Sequence, residues 1–365
     1  MSEWQTFCLK DLGKIVGGAT PSTNNPQNYG NKIAWITPKD LSTLQGRYIK
    51  KGSRSISRLG FKSCSCVLLP KHAILFSSRA PIGYVAIAKK RLCTNQDFKS
   101  IIPNKKIYFE FLYYLLKYYK NNFINMGEGT TIKGIYNIAL GLFKVKIPPT
   151  YYEQQKIART LSVLDQKIEN NHKINELLHT LAYKIYEYYF KYKPKNAKLE
   201  QIIIENPKSS IMVKNAQKTQ DKYPFFTSGD NTLSYPKAII DGRNCFLNTG
   251  GNAGIKFYVG KASYSTDTWC ICANEFSDYL YLLLSSIKNH INQSFFQGTS
   301  LKHLQKNLLK KYPIYMPSAH EIKKFNQIIM PLLTLISINT RTSKKLEQVR
   351  DFLLPLLLTQ QVKPQ

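Results

Sequence analysis

The chain repeats itself, and that repetition restricts its architecture more than any other feature of the 365 residues. Leu112-Tyr113-x-Leu115-Leu116 returns 168 positions later as Leu280-Tyr281-x-Leu283-Leu284, inside the helix-like stretches Ile107–Leu116 and Phe276–Leu284. Gly129-Thr130-Thr131-Ile132 returns as Gly298-Thr299-Ser300-Leu301. In each copy a proline, Pro148 or Pro317, stands 19 residues past that glycine and closes a strand-like run, Phe143–Ile147 or Tyr312–Met316. Upstream, Leu75–Gly83 is echoed by Phe246–Gly254, and Asp97 by Asp267. The offset drifts only between 168 and 171 across these anchors, which chance similarity would not keep in order. A duplicated chain of this length has room for two separate cores.

Each copy runs on past its proline into a heptad pattern. Ile157, Leu161, Leu164, Ile168, Asn171, Asn175, Leu178, Ala182, Ile185 and Tyr189 alternate steps of four and three. Phe325, Ile328, Leu332, Leu335, Asn339, Thr342, Leu346, Val349, Leu353 and Leu356 do the same. The pattern predicts two helices of about 35 residues, each roughly 50 Å long. Their length and matched placement favour a paired coiled coil over two separate amphipathic core helices. Asn171 and Asn339 interrupt the apolar seam, as a polar residue that fixes register does. Pro331 and Pro355 predict a kink or an early end in the second helix. The lysines and Pro194 of Lys191–Lys198 mark a boundary. The predicted organisation is a globular domain over 1–150, a helix over 151–192, a second globular domain over 193–318 and a second helix over 319–365.

Within the globular parts, strand-like stretches are short and separated by Gly, Pro, Asn and Ser turns. They are Ile33–Thr37, Cys64–Leu69, Ala73–Phe76 and Tyr84–Ala88 in the first copy, and Cys245–Asn248, Ile255–Val259 and Thr268–Ala273 in the second. One helix follows them in each. The expected class is therefore α+β, two mixed domains with a curved sheet and polar loops, related by an internal pseudo-two-fold repeat. The loops Thr37–Asp40, Gly46–Arg58 and Asn215–Lys222 are rich in Lys, Arg, Asn, Gln and Ser.

Charge narrows the class of partner. Fifty-two Lys and Arg against 22 Asp and Glu leave +30, spread along the chain. A folded protein so charged attracts polyanions, nucleic acid above all; a lysine-rich proteome or an anionic membrane is the blander explanation. No amphipathic membrane helix stands out, and the longest apolar runs, such as Leu353–Leu358, are too short to span a bilayer. The start of the chain lacks a basic segment followed by an apolar one, so a cytoplasmic location is expected. Seven cysteines, an odd number, argue for reduced thiols. Cys64-x-Cys66 and Cys270-x-Cys272 lack the spacing of a zinc site and read as buried small hydrophobes.

Enzyme signatures are missing where they would be expected. Asn248–Gly254 is glycine-rich, but no Gly-Lys-[Ser/Thr] follows to make a phosphate-binding loop. A glycine-rich strand–turn–helix with a downstream acid is not found either. Asn206-Pro207-Lys208-Ser209 lacks the second proline and the aromatic that an amino-methyltransferase stacks on its flipped base. The 22 acids do not cluster as a two-metal nuclease requires. His72, His172, His179, His290, His303 and His320 show no metal-ligand spacing. The chain reads as a binder, not a catalyst.

Several ordered motifs, taken together, resemble one family over nearly the full length. They are Trp4, Leu9-x-Asp11-x-Gly13, Gly18-x-Thr20-Pro21 and Ala34-Trp35-Ile36-Thr37-Pro38-x-Asp40-Leu41, then Gly129-Thr130-x-Ile132, Ile147-Pro148-Pro149 and Glu153-Gln154-x-Lys156-Ile157-Ala158. The closing Leu346–Leu358 completes the set. The chain is similar to the specificity subunit of type I restriction–modification enzymes. It departs at Ser318-Ala319-His320-Glu321, where the first copy has Pro149 and then Glu153-Gln154, and at Gly250, the counterpart of Arg79.

The resemblance implies two target-recognition domains separated by long helices that form an antiparallel coiled coil. In the spacer it places Leu161, Leu164, Ile168, Asn171 and Leu178 against Leu332, Leu335, Asn339, Leu346 and Val349. It implies recognition of a bipartite, asymmetric double-stranded DNA target, with two methyltransferase subunits and restriction subunits as partners. S-adenosylmethionine, ATP and Mg would act only in those partners, and this chain would hold no cofactor or metal. The expected DNA contacts are Lys39, Arg54, Arg58, Arg79 and Gln96 in the first copy, and Asn248, Thr249, Asn252 and Lys256 in the second. The alternatives are a DNA-binding scaffold without sequence preference, and a divergent methyltransferase or nuclease.

Overall fold

The computed structural model describes residues 3–129, 133–216 and 222–364. Thr130, Thr131 and Ile132 of the first glycine–threonine motif, and residues 217–221 of the loop Asn215–Lys222, lie outside the described residues. Two compact units emerge: Met1–Asn170 with Ser343–Gln365, and Asn171–Thr342. The long helices Tyr151–Tyr186 and Ala319–Leu358 each give one segment to either unit.

In the first unit a five-stranded sheet runs in the order Gly13–Gly17, Lys99–Pro103, Ile74–Phe76, Val85–Ala88, Tyr48–Ile49. It is antiparallel except at its last pair. Ile74, Phe76, Ile87 and Ile101 share a core with Phe111, Leu112, Leu115 and Leu116 of the helix Phe109–Tyr118. That helix is apolar on several faces because Leu9, Leu12, Val145 and Leu161 close over it in the same core. A second sheet sets Arg54–Ile56 antiparallel and Cys93–Thr94 parallel to Tyr29–Ile36. Cys64–Leu69, expected as a strand, pairs only through a single bridge from Leu69 to Leu92. Its alternation comes from one-sided burial: Cys66 sits with Trp35 and Cys93 and gives its thiol hydrogen to the Ala19 carbonyl, 3.2 Å away.

The second unit repeats the plan. Ile204–Glu205, Thr268–Cys272, Arg243–Asn248 and Ile255–Val259 form an antiparallel sheet. Cys245, Leu247 and Ile271 share a core with Leu280, Leu283 and Leu284 of the helix Ser277–Ser286. Tyr223–Phe226 lies between Leu233–Tyr235 and Ser263–Tyr264 in a smaller sheet. The fold is thus mixed helix and sheet, duplicated, with a long helix after each globular part, as the sequence predicts.

Both long helices start with the same reciprocal cap. Glu153 N–H donates to Thr150 Oγ1 while Thr150 donates to Glu153 Oε2; Ser318 and Glu321 do the equivalent through Ser318 N and Oγ. The apparent departure at Ser318–Glu321 is therefore the same start signal in other residues. The first helix runs 36 residues and then takes a π turn over Glu187–Lys191. The second runs 40 residues and continues past Pro331 and Pro355, where a kink or an early end was expected. An interior proline costs about 3 kcal/mol, and burial of Ile329, Leu333, Leu354 and Leu357 on either side offsets it.

The helices pair antiparallel within each unit. In the second, Asn339 Nδ2 donates to Asn175 Oδ1 at 3.0 Å, while Phe190 packs on Phe325 with ring centroids 4.9 Å apart. In the first, Arg350 Nη1 donates to Asp165 Oδ1 at 2.7 Å. The first-helix seam holds Leu161 and Ile168 buried, with Leu164, Asn171 and Leu178 half-buried. On the second helix Phe325 is buried as predicted, but beyond it the deepest burial shifts by one residue from the predicted seam. Leu335 and Val349 are 41% and 46% exposed, whereas Ile336 and Leu333 are buried; Leu332, Asn339 and Leu346 are half-buried at its edge.

An arginine, buried in the first unit and half-buried in the second, fastens each globular part to its own long helix. Arg47, 4% exposed at its side chain, donates through Nη1 to Glu110 Oε1 (3.0 Å) and through Nε to Glu169 Oε1 (3.1 Å). Tyr114 donates to Asp165 Oδ2 at 2.6 Å, which joins the Asp165–Arg350 pair to the same network. Burial works against the Arg47 charge, but Tyr114, Glu169 and Glu110 hold its pKa above the ordinary value. In the second unit Arg243 bonds both carboxylate oxygens of Asp278, with Thr334 Oγ1 2.9 Å away on the long helix. Glu110 and Asp278 stand one repeat apart, as do Glu169 and Ser337, each of which accepts a backbone N–H (from Arg47 and Val259).

Candidate nucleic-acid interface

Two turns, equivalent in the repeat, present the expected contact residues. In the first, Ser77 N donates to Tyr84 O at 2.9 Å and Ser77 Oγ to Pro81 O at 2.7 Å. In the second, Asn248 N donates to Gly254 O at 3.0 Å and its side-chain amide to Asn252 O at 3.1 Å. Each turn is thus closed by a short polar side chain bonded four residues ahead. Gly254 is required there, because a Cβ would lie 2.3 Å from the Asn248 side chain.

The next residue in each copy anchors the turn to the repeated aspartate. Ser78 N and Oγ both donate to the Asp97 carbonyl, at 2.8 and 3.0 Å. Thr249 N and Oγ1 both donate to the Asp267 carbonyl, at 3.3 and 2.7 Å. The tips then bridge the segment after the glycine–threonine motif, Arg79 to Gly134 and Gly250 to His303. The same scaffold therefore carries different chemistry. Arg79 meets the Asp97 carboxylate, whereas Gly250 offers no side chain and Ser265 occupies Asp267 Oδ1.

The remaining expected contacts fall into two groups. Lys39, Arg54, Arg58, Gln96 and Asn252 are exposed. Arg54 lies over the Tyr29 ring at 4.8 Å, an amphipathic pairing that keeps its charge at the surface. Lys39 stands on the short helix Pro38–Ser42, which Asp40 ties to the following loop by accepting from Thr37 N (2.8 Å) and Ser53 N (2.7 Å). Gln96 accepts a hydrogen bond from Thr20. Asn248 and Lys256, by contrast, serve their own unit. Asn248 is buried, and Lys256 Nζ donates to the carbonyls of Thr227 (2.6 Å) and Gly229 (2.5 Å); burial lowers its pKa. Thr249 is half-buried and bonded as above.

Sequence reasoning did not find Asp97 as the partner of Arg79, nor Ser77 and Asn248 as turn closers. The signal was available in the repeat: the pairs Ser77/Asn248, Ser78/Thr249 and Asp97/Asp267 keep polar residues in step. Gly18, of the early motif, is explained by closeness, since a Cβ there would lie 2.0 Å from the Asn95 carbonyl oxygen.

A cavity of about 610 Å³ in the first unit is lined by Trp4, Thr150, Tyr152, Glu153, Lys156 and Leu357, among others. Another of similar size lies among Lys10, Lys14, Ile138 and Leu142. In the first, the hydroxyl of Thr150 and the carboxylate of Glu153 are joined to each other as the helix cap. Among the described residues, no group of three or more His, Cys, Asp or Glu side chains is placed to hold a metal ion, and no helix is long and apolar enough to cross a membrane.

Comparison with known proteins gives concordant matches. The family described as type I restriction modification DNA specificity domain matches residues 1–180 and again 195–348. The MjaIX type I restriction enzyme specificity subunit of Methanocaldococcus jannaschii is 31% identical, over 98% of this chain and 93% of that one. A putative type I specificity subunit of Mycoplasma genitalium is 23% identical over 84% of this chain and 80% of its own. The crystal structure of a type I restriction–modification S subunit from M. genitalium superposes with a TM-score of 0.62 at 18% identity, covering 97% of this chain and 96% of that one.

Proposed function

The chain belongs to the type I restriction–modification DNA specificity subunits, and from that premise we propose that it reads a bipartite, asymmetric double-stranded DNA target. One observation carries the proposal. The two units build the same turn on the same hydrogen bonds and then differ at its tip, Arg79 against Gly250. A shared scaffold with unlike tips suits two half-sites of unlike sequence. The charge of +30 supplies the sequence-independent attraction to phosphate that such a reader needs. Lys39, Arg54, Arg58, Arg79, Gln96 and Asn252 are the residues assigned to the DNA, with Asn248, Thr249 and Lys256 shaping the second turn behind it.

In this role the chain is non-catalytic and works in the cytoplasm. Two methyltransferase subunits and the restriction subunits dock on it, and S-adenosylmethionine, ATP and Mg act in them. The cavity between Trp4, Tyr152 and Leu357, at the start of the first long helix, supports docking there. The paired helices set the unread gap between half-sites. Mapping methylated bases in the host with and without this gene tests the proposal. It requires loss of methylation at one two-part motif; methylation by the isolated chain with S-adenosylmethionine would overturn it.

A further inference from the structure

Arg79 stands at the tip of the Ser77–Tyr84 turn with its side chain 42% exposed, while its partner Asp97 is 17% exposed. The contact to Asp97 leaves through Nε. A guanidinium carries its donors in one plane, and among the described residues Nη1 and Nη2 make no hydrogen bond. Asp97 is itself held: Asn95 Nδ2 donates to its other carboxylate oxygen at 2.6 Å, and Ser78 binds its carbonyl twice. Because Ser78 immediately precedes Arg79, the arginine and its buttress are fixed by one set of bonds. Ala80, next along, sits at φ 56°, a conformation the closed turn imposes.

Two consequences follow from this geometry. The Arg79–Asp97 pair has no net charge, so it adds little to the capture of a phosphodiester, which works through charge. What it presents is a pair of parallel donors on a side chain whose freedom is already restricted. In duplex DNA the matching partner is the major-groove edge of guanine, where O6 and N7 are two adjacent acceptors. Adenine sets a donor beside its acceptor there, thymine a methyl group, and cytosine a donor. Adenine and thymine each leave one N–H of the fork unmatched, and cytosine leaves both.

We infer that Arg79, buttressed by Asp97, reads a guanine in the half-site bound by the first unit, and that the second unit lacks this contact because Gly250 takes its place. The inference rests on the DNA-reading role proposed above and names the base that one residue reads.

The test compares the full-length chain, co-purified with its methyltransferase subunit, as wild type, Arg79→Lys and Asp97→Asn. Each is used for selection from a random duplex library and for titration of the selected duplex at several salt concentrations. Arg79→Lys keeps the charge and removes the fork. It should cut the preference for guanine at one position of one half-site by roughly 5- to 150-fold, leaving the other half-site and the salt dependence as in wild type. Asp97→Asn keeps the guanidinium and loosens it, and should weaken the same position by a smaller factor. Thermal unfolding of each variant checks that the fold is intact, and Asp97→Asn decides the matter alone if Arg79→Lys does not fold. An unchanged guanine preference in the folded variants overturns the inference. So does equal weakening on all sequences with a shallower salt dependence, the behaviour of a phosphate contact. A wild-type complex that selects no two-part motif contradicts the proposed function itself, a result visible before any variant is made.

Discussion

Arg47 and Asp40 show how single side chains hold the reading surface. Arg47 lies among three carboxylates, Glu110, Glu169 and, 4.0 Å away, Asp165. Removing a partner from a buried ionic network costs about 3–5 kcal/mol, because the remaining charges stay out of water. Arg47→Ala should lower the stability of the chain by that amount in urea unfolding, far more than Arg54→Ala, whose guanidinium is at the surface. Asp40 behaves differently. Burial pushes its pKa up, but the hydrogen bonds from Ser53 and Thr37 outweigh this and hold it below the ordinary 3.8. A depressed carboxylate pKa contributes stability that is full above the ordinary value and disappears as pH falls through the folded-state value. Asp40→Asn should therefore destabilise the chain at pH 7 and matter progressively less as pH falls below the ordinary 3.8, as thermal unfolding across that range would report. Neither role was visible in the sequence. Thr37-x-x-Asp40 spells a helix cap, but the pairing of Arg47 with Glu169 spans 122 residues and depends on packing.

At the scale of the element, the long helices show which features a sequence encodes locally. Their existence and approximate length were legible, because heptad spacing is a local signal; the caps at Thr150–Glu153 and Ser318–Glu321 are local too, but only the structure showed them. The seam of the second helix was not. Its apolar residues come as neighbours, Ile328–Ile329, Leu332–Leu333, Leu335–Ile336, Leu353–Leu354 and Leu356–Leu357. Two parallel stripes then satisfy the same spacing, and only the partner helix decides between them. The structure buries the second of each pair more deeply at Ile329, Leu333, Ile336, Leu354 and Leu357. Ile336→Ala should thus cost about 2–4 kcal/mol and Leu335→Ala under about 1 kcal/mol, a contrast that denaturant unfolding of the two variants would resolve. The prolines mislead for a related reason: a local helix breaker is outweighed by the buried neighbours that flank it. Cys64–Leu69 failed as a strand because alternating burial does not require a pairing partner.

At the scale of the molecule, duplication carried most of what could be read. It fixed two α+β parts, each followed by a long helix, and the structure extends the correspondence to individual hydrogen bonds, Ser78 to Asp97 and Thr249 to Asp267. Charge supplied only the class of ligand. Of the expected contacts, Lys39, Arg54, Arg58, Gln96 and Asn252 reach the surface, while Asn248 and Lys256 turn inward to close their own loop. Polar residues in a turn look alike in sequence whether they face DNA or their own backbone. Whether two unlike heads read two unlike half-sites is decided by selecting bound duplexes from a random library with the complete complex. Two such heads on paired helices should select two short, dissimilar motifs separated by an unread gap of constant length. Enrichment of one contiguous motif, or binding without sequence preference, would contradict two-headed reading.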